Sequence, residues 1–433
     1  MPTFPKYESY KNSGVAWLED IPEHWEVLPG RAYLKPKKVK NTGNKVDTVL
    51  SLSYGKIVIK PEEKLHGLVP ESFETFQIAD PGDFIVRATD LQNDHTSLRI
   101  GLVGDRGIIT SAYLCLHPTE MMNSRFAYYL LHSYDLLKVY YGMGSGLRQN
   151  LDYTDFKYLP LTVPSLEEQK RIVEFLDRTT TEIDRAISQK QRLIELLQEQ
   201  KAILINQAVT KGLNPNVPMR DSGIEWIGEI PEHWEVWKIA HASKKVTNGY
   251  VGPTRDILTD AGVRYIQSLH VKEQTIKFLK PYYVLKKWSE AHSRSILQKH
   301  DVLIVQTGGC VGEIALVPEE FSGCNCHALI IISPKENLVF GAYLAKYLSS
   351  TSGRQNLQSI ETGALHPHLN STIVKDMLIP VPPLEEQKLI IKRLNDIDVL
   401  FQETRDSMDR EIETIKEFRQ TLISHAVTGK IKV

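Results

Sequence analysis

The sequence predicts an α+β protein, in which two globular mixed α/β domains form a tandem pseudo-twofold repeat separated by two long antiparallel coiled-coil helices. Three observations lead to this fold class: two sequence blocks occur twice, two long segments lack proline and glycine, and two dissimilar regions of similar size lie between them. The expected order is a first domain at 1–165, a first spacer helix at 166–212, a second domain at 213–383, and a second spacer helix with the C-terminal tail at 384–433.

A duplicated block opens each half of the chain. Residues 13–27 (SGVAWLEDIPEHWEV) and 222–236 (SGIEWIGEIPEHWEV) share ten of fifteen positions. A second block closes each half, because 161–170 (LTVPSLEEQK) corresponds to 379–388 (IPVPPLEEQK). Such an internal repeat indicates that one structural unit is built twice.

The regions between these blocks, about 28–150 and 237–365, barely resemble each other. They share short echoes, such as the apolar strands that begin at Asp83 and at Asp301. Repeated blocks that enclose two divergent regions indicate that the protein performs the same task on two different targets.

Segments 166–209 and 384–427 are expected to be single helices, because each opens with Leu-Glu-Glu-Gln and has acidic residues in its first turn. Apolar residues recur at heptad spacing. The seam comprises Leu176, Ile183, Leu197 and Leu204 in the first helix, and Leu394, Phe401, Met408, Ile415 and Leu422 in the second. A helix of about 66 Å with one apolar stripe needs a partner, and the order of the segments favours antiparallel pairing of the two. Lys190 and Lys201 interrupt the first seam, which we interpret as room for a helix of a partner protein.

The charged side chains are distributed unevenly along the chain. The 433 residues carry a formal net charge of -1, which by itself argues against a nucleic-acid partner. Residues 28–150, however, hold 15 basic and 12 acidic side chains (+3), and residues 237–365 hold 15 and 10 (+5). The positive charge is therefore confined to the two variable regions.

Basic and amide side chains in these regions are candidates for DNA contact, since lysine and arginine bind phosphates and arginine, asparagine and glutamine read base edges. They are Arg31, Lys35, Lys37, Lys38, Lys40, Arg148, Gln149, Asn150, Lys244, Lys245, Gln306, Arg354, Gln355 and Asn356. The alternatives remain a solvated lysine-rich loop for the basic clusters and structural capping for the amide residues.

Several functional classes lack their sequence signatures. The chain has no GxxxxGK[ST] loop, no dinucleotide fingerprint and no tetrapeptide typical of amino-methyltransferases, so no catalytic residue is assigned. No apolar run is long enough for a membrane span. Cys310, Cys324 and Cys326 with His327 lack zinc-ligand spacing, and we expect buried thiols and no metal. The composition predicts a protein of the reducing cytoplasm.

The doubled IPEHWEV and Leu-Glu-Glu-Gln blocks around two divergent regions resemble the specificity subunit of type I restriction-modification systems, and the resemblance covers almost the whole chain. It implies that each variable region is a target recognition domain for one half of a bipartite, asymmetric site in double-stranded DNA. It also implies that the helices set the spacer and dock two methyltransferase subunits and, through them, restriction subunits. No cofactor is expected in this chain, since S-adenosylmethionine, ATP and Mg²⁺ are implied for the partner subunits.

Two alternatives remain. One is the specificity subunit of a bifunctional, type II-like restriction enzyme, and the other is a scaffold that binds proteins rather than DNA. Salt-dependent DNA binding discriminates the scaffold from a DNA reader, because phosphate contacts weaken steeply as salt rises.

Overall fold

A computed structural model describes residues 4–61, 72–94, 98–144, 149–363 and 367–433. The chain divides into two compact units. The first unit is Met1–Lys190 with Asp409–Val433, and the second unit is Gln191–Met408. Each unit therefore contains part of the sequence of both long helices.

Short strands and two small helices build the first unit, ahead of the first long helix. The strands are β1 Tyr10–Asn12, β2 Asp20–Pro22, β3 Glu26–Pro29, β4 Leu34–Lys37, β5 Leu50–Ser53, β6 Lys56–Ile59, β7 Gln77–Ala79, β8 Phe84–Val86, β9 Ile100–Leu102, β10 Gly107–Ile109, β11 Leu114–Pro118 and β12 Pro160–Val163. The helices are α1 Ser124–Leu136, α2 Tyr153–Tyr158 and the long helix α3 Leu166–Lys211, which continues into the second unit.

The second unit repeats this order with additional elements. Its strands are β13 Met219–Asp221, β14 Glu229–Pro231, β15 Glu235–Lys238, β16 Ser243–Asn248, β17 Leu258–Thr259, β18 Val263–Ile266, β19 Val271–Lys272, β20 Thr275–Ile276, β21 Tyr283–Val284, β22 Val302–Val305, β23 Ile314–Leu316, β24 Asn325–Cys326, β25 Leu329–Pro334 and β26 Leu378–Val381. Its helices are α4 Ile239–Ala242, α5 Lys286–Ala291, α6 Gly341–Ser349, α7 Thr351–Ser359, α8 Ser371–Val374 and the long helix α9 Leu384–Val427, which ends in the first unit.

The central sheet has the same antiparallel strand order in both units. It is β4-β11-β8-β9 in the first and β16-β25-β22-β23 in the second. The turn before the third strand is also shared: the carboxylate of Asp83 accepts a hydrogen bond from the Asp80 N–H at 2.7 Å, and that of Asp301 accepts one from the Gln298 N–H at 2.9 Å. The similar segments at Asp83 and Asp301 are therefore turns that a buried aspartate closes at the start of equivalent strands.

The repeated blocks pair with each other at the base of each unit. Strand β3, in the first IPEHWEV block, pairs antiparallel with β12, which leads into α3. Strand β15 pairs with β26, which leads into α9, in the same way. Trp25 and Trp234 are fully buried beside these strands, so each anchors the entry of its unit.

The two long helices run antiparallel in the first unit, as the order of the segments predicts. In the first unit, ion pairs join Asp184 to Arg419 and Lys190 to Glu411. The residue number thus rises along one helix as it falls along the other. The fold class predicted from the sequence is confirmed in its mixed α/β units and its long paired helices.

The predicted seam residues lie between the helices or against the domain cores. Leu176, Ile183, Leu394 and Leu422 are buried, whereas Leu197, Leu204, Phe401, Met408 and Ile415 are partly buried. The burial is deepest where a helix also contacts the globular part of its unit, as at Leu176 and Leu394.

The interpretation of the two seam lysines was wrong. Lys190 pairs with Glu411 of the opposite helix within the first unit, and Lys201 lies 2.8 Å from Asp398 within the second. These lysines are satisfied by acidic residues of the chain itself and do not mark vacant positions in the seam.

The prediction of buried thiols was correct for Cys324 and Cys326 and wrong for Cys310, which is exposed in the loop after β22. Cys115 is also buried. Among the described residues, no group of three histidine, cysteine or acidic side chains is arranged to hold a metal ion. None of the helices in that part of the chain combines the length and the apolar character of a membrane span.

Candidate nucleic-acid interface

The two repeated motifs contact each other in both units. The imidazole Nε2 of His24 lies 2.9 Å from the carboxylate of Glu168, and that of His233 lies 2.8 Å from Glu386. Each pair joins the histidine of a His-Trp-Glu-Val sequence to the second glutamate of a Leu-Glu-Glu-Gln sequence. The blocks that repeat in the sequence therefore meet in space in each unit.

The glutamine that follows makes the same three hydrogen bonds twice. The amide nitrogen of Gln169 donates to the carbonyls of Met121 and Pro164, and its oxygen accepts from the Asn123 N–H at 2.8 Å. Gln169 is completely buried, so these three bonds satisfy all the polar groups that its side chain carries into the interior.

The second copy repeats the arrangement without change. Gln387 donates to the carbonyls of Leu338 and Pro382 and accepts from the Phe340 N–H at 2.8 Å. The first turn of each long helix is thus fixed to the loop before α1 in the first unit and to the loop before α6 in the second. The same contacts therefore hold the repeated motifs together in both units, and the divergent surfaces lie outside these contacts.

The basic strand of the first unit is β4, at the edge of the central sheet. Lys37 is committed to an internal network, because its ammonium lies 2.7 Å from Asp80 and 2.5 Å from Asp83. Asp83 is completely buried and also contacts His117 at 2.7 Å. The hydrogen bond from Lys37 lowers the pKa of the Asp80 carboxyl. Lys37 therefore neutralises a buried carboxylate of its own fold.

The neighbouring cations are exposed. Lys35, Lys38 and Lys40 point into solvent, and the guanidinium of Arg31 lies 5.7 Å from the ring centroid of Tyr158. These four residues remain free to approach a phosphate backbone, as the sequence predicts for them.

The amide candidates of the first unit lie beside the irregular segment before α2. Gln149 donates to the carbonyls of Tyr141 and Met143, and the Asn150 side chain accepts from the Asp90 N–H at 3.0 Å. Asn150 is exposed and Gln149 is partly buried. Arg148 lies outside the described residues.

The basic strand of the second unit is β16, which is equivalent to β4 by its place in the sheet. Lys244 and Lys245 project from it at a β-bulge, where the register with β25 shifts between Ser243 and Lys245. Lys244 is exposed and Lys245 is partly buried. Lysines of both basic clusters, Lys35 and Lys37 in β4 and Lys244 and Lys245 in β16, therefore lie on equivalent strands of the repeated sheet.

The remaining candidates of the second unit divide between loops and helix α7. Arg354 pairs with Glu313 at 3.0 Å, and the Asn356 amide is buried and donates to the Leu378 carbonyl at 2.9 Å. Gln355 is exposed on the same helix. Gln306 follows β22, and its side-chain oxygen is buried without a hydrogen-bond partner in the described part of the chain.

Two further cations, Arg294 and Lys375, were missed by sequence reasoning. Both are exposed and line the same cleft as Lys244 and Lys245. They lie about 50 and 130 residues further along the chain, so no local pattern in the sequence brings them together.

Comparison with known proteins decides the family. The model of the type I restriction modification DNA specificity domain matches residues 38–196 and 231–414, one copy in each half of the chain. The chain belongs to the type I restriction-modification specificity family. DNA sequence recognition is the role of this domain, which agrees with a frame that repeats and surfaces that diverge.

Curated relatives match most of the chain at low identity. The type I restriction enzyme MjaVIII specificity subunit of Methanocaldococcus jannaschii is 25% identical over 428 residues, which cover 95% of this chain and 94% of that protein. The type I restriction enzyme EcoBI specificity subunit of Escherichia coli is 22% identical and covers 72% of this chain and 66% of its own length.

Solved structures share the fold. A chain from work on complex assembly and conformational transition of the type I R-M system matches with a TM-score of 0.67 at 16% identity, covering 94% of this chain and 98% of its own. The HsdS subunit from Thermoanaerobacter tengcongensis matches with a TM-score of 0.53 at 15% identity, covering 95% and 98%.

Proposed function

We propose that each unit of this specificity subunit reads one half of a bipartite, asymmetric site in double-stranded DNA. The observation that carries the proposal is the repeated sheet, whose equivalent edge strands β4 and β16 both present exposed lysines. Lysines on a common frame supply sequence-independent phosphate contacts, while the different surfaces around them supply different base contacts. Two unlike readers define a target without internal symmetry.

The paired long helices set the distance between the two half-sites. Helices α3 and α9 contain 46 and 44 residues, and ion pairs between them fix their register within each unit. A change of helix length therefore changes the spacer of the DNA site, at about 1.5 Å per residue.

Methyltransferase subunits dock on the exposed apolar positions of these helices. In the second unit, Leu193, Leu196 and Ile203 of α3 and Val399 and Leu400 of α9 are each between 44% and 60% exposed. Large apolar side chains left in water on a paired helix are typical of a protein interface. A structural neighbour described for complex assembly of the type I R-M system supports such partners.

In this proposal the chain selects DNA and performs no chemical step. The methyltransferase subunits hold S-adenosylmethionine and methylate adenine, and restriction subunits use ATP and Mg²⁺. The proposal does not depend on cleavage, because a system that only methylates uses the same selection.

The methylome of the source cell tests this function directly. We expect one split, asymmetric motif with methylated adenines in the intact cell, and its complete loss when the gene for this chain is deleted. An unchanged methylome after deletion contradicts the proposal. Binding of the full chain with its methyltransferase partner to a duplex that carries the motif should weaken steeply as salt rises; a protein scaffold shows no affinity for DNA at any salt concentration.

A further inference from the structure

A cleft in the second unit joins two adjoining cavities along strand β16. Their volumes are about 650 and 380 Å³. Both are lined by Val246, Thr247, Arg294 and Lys375, so the two cavities form one continuous depression. Strand β16 forms one wall, and the segment after α5 and the end of α8 form the other.

A β-bulge brings two consecutive lysines to this cleft. In a regular strand, neighbouring side chains point to opposite faces of the sheet. Lys244 and Lys245 nevertheless both line the smaller cavity, because the register with β25 shifts between Ser243 and Lys245. Bulges commonly redirect a side chain toward a functional surface.

The cleft is cationic and contains no counter-charge. Its lining holds the four cations Lys244, Lys245, Arg294 and Lys375 and not one aspartate or glutamate. No salt bridge joins any of the four to an acidic side chain of the described residues, although Lys238, close by in sequence, pairs with Asp376 at 2.8 Å. Asp301, whose carboxyl is influenced by the charges of both lysines, is 2% exposed and does not line the cleft. Lys244, Arg294 and Lys375 are exposed, and Lys245 is partly buried with its ammonium 3.4 Å from the Arg294 carbonyl oxygen, so four like charges lie in one cleft.

Polar groups on the floor complete the surface. Thr247, Asn248, Ser371 and Thr372 line the larger cavity, and the side-chain oxygen of Asn248 is buried without a hydrogen-bond partner in the described part of the chain. Two adjoining cavities with hydroxyl and amide groups between separated cations fit an extended polyanion better than a single small anion.

We propose that this cleft holds a DNA strand of the half-site read by the second unit, with Lys244, Lys245, Arg294 and Lys375 bound to successive backbone phosphates. The inference rests on the proposed function and adds the place and the residues of the contact. Arg294 and Lys375 join the two lysines as phosphate ligands and thereby fix the register of the duplex on the second unit. Like-charge repulsion in the free cleft favours binding, since each phosphate relieves it.

The test compares the salt dependence of DNA binding for two quadruple variants of the full chain in complex with its methyltransferase partner. The cleft variant changes Lys244, Lys245, Arg294 and Lys375 to Gln. The control changes Lys272, Lys280, Lys286 and Lys287 to Gln, which are exposed lysines of the same unit outside both linings. Both variants lose the same net charge.

For the cleft variant we expect the slope of log affinity against log salt to fall by about 3 to 4, at about 0.9 per lost phosphate contact. The control should lose less than about 1. Ethylation interference should show critical phosphates in the second half-site for the parent complex, and these should disappear in the cleft variant alone.

Each of the other possible outcomes of this test contradicts a different part of the proposal. Equal slopes for the two variants overturn the cleft as a phosphate site while the methylome motif leaves the proposed function intact. A loss confined to the cognate sequence, with the non-cognate affinity unchanged, overturns the assignment to phosphates in favour of base reading. If the parent complex shows no affinity for DNA, the proposed function itself is overturned. Matching circular dichroism and melting temperatures for both variants ensure that unfolding does not explain the result.

Discussion

The imidazole Nε2 of His24 lies 2.9 Å from a carboxylate oxygen of Glu168, although 144 residues separate them in the sequence. This pair joins the block that opens the first domain to the first turn of the helix that leaves it. Its counterpart joins the same two motifs in the second unit at 2.8 Å. Because each helix starts at a fixed point on its domain, the length of the helix determines the distance that it spans, as a spacer requires.

We expect Gln169 to be essential to the contact between the first domain and the first turn of α3. Changing Gln169 to Ala removes three hydrogen bonds, to the Asn123 N–H and to the Met121 and Pro164 carbonyls, so we expect the free energy of unfolding of the first unit to fall by about 2 to 4 kcal/mol. Urea unfolding followed by tryptophan fluorescence measures this loss. Glu167→Ala is the control, because Glu167 is exposed in the same turn and should change stability by less than about 0.5 kcal/mol. Equal stability of the two variants contradicts the role of the glutamine.

His132 on α1 should make the first unit sensitive to acid. Burial, with a smaller contribution from Arg419, lowers the pKa of His132 to about 4, and its Nδ1 has no hydrogen-bond partner in the described structure. Since the unfolded chain has a pKa near 6.5, it binds the proton first, and stability is lost as the pH falls from about 6.5 towards 4. The full effect is roughly 3 kcal/mol, at about 1.4 kcal/mol per pKa unit.

Urea unfolding at pH 7 and pH 5 measures this effect. In the parent, the free energy of unfolding should be lower at pH 5, and His132→Leu should remove about 2 kcal/mol of that difference. An unchanged pH dependence in the variant contradicts a neutral, buried imidazole.

Local signals account for the parts of the fold that the sequence could predict. Glutamates in the first turn and heptad spacing are properties of neighbouring residues, so the helix starts at Leu166 and Leu384 were accessible from the pattern. The turn at Asp83 was accessible because its residues lie together and have a counterpart at Asp301.

Contacts between distant residues account for the rest. The cluster of Arg294 and Lys375 with the lysines of β16 depends on tertiary packing, and the bulge that turns Lys244 and Lys245 to one side has no sequence signature. The seam lysines were misinterpreted because a heptad pattern in one helix does not show which acidic side chain, here Asp398 for Lys201, lies opposite.

Cys310 should be the reactive thiol of the native chain. Burial raises the pKa of Cys115 to about 12 and that of Cys324 to about 11, and Cys326 is shifted upward by complete burial. Cys310 is exposed in a loop. We expect one fast equivalent with a thiol reagent at pH 8, four in denaturant, and none fast in Cys310→Ser. More than one fast thiol in the native parent contradicts the burial of the other three.

Lengthening both spacer helices should lengthen the recognised DNA site. Because α3 and α9 pair antiparallel, an insertion in one alone breaks ion pairs such as Lys190 with Glu411. We therefore insert seven residues after Lys190 and seven after Met408, which preserves the heptad phase. The added length of about 10 Å corresponds to about 3 base pairs. Methylome sequencing of cells with the variant gives the spacer, and an unchanged spacer contradicts the ruler.

The four lysines on and after β4 should separate into two classes. Lys37→Ala leaves the buried carboxylate of Asp83 without its closest cation, so we expect a loss of about 2 to 4 kcal/mol in stability. The triple change of Lys35, Lys38 and Lys40 to Ala should leave stability within about 0.5 kcal/mol per site, because these side chains are exposed.

In DNA binding we expect the reverse pattern, with an effect of the triple change and none of Lys37→Ala. The triple variant should weaken binding of cognate and non-cognate duplexes alike and lower the salt slope by about 0.9 per lysine that contacts a phosphate. Lys37→Ala should keep the slope of the parent at temperatures where it remains folded, since Lys37 is bound to Asp80 and Asp83. If Lys37→Ala lowers the slope as much as its neighbours do, the internal network opens when DNA binds, and the distinction between structural and DNA-binding lysines on this strand is wrong.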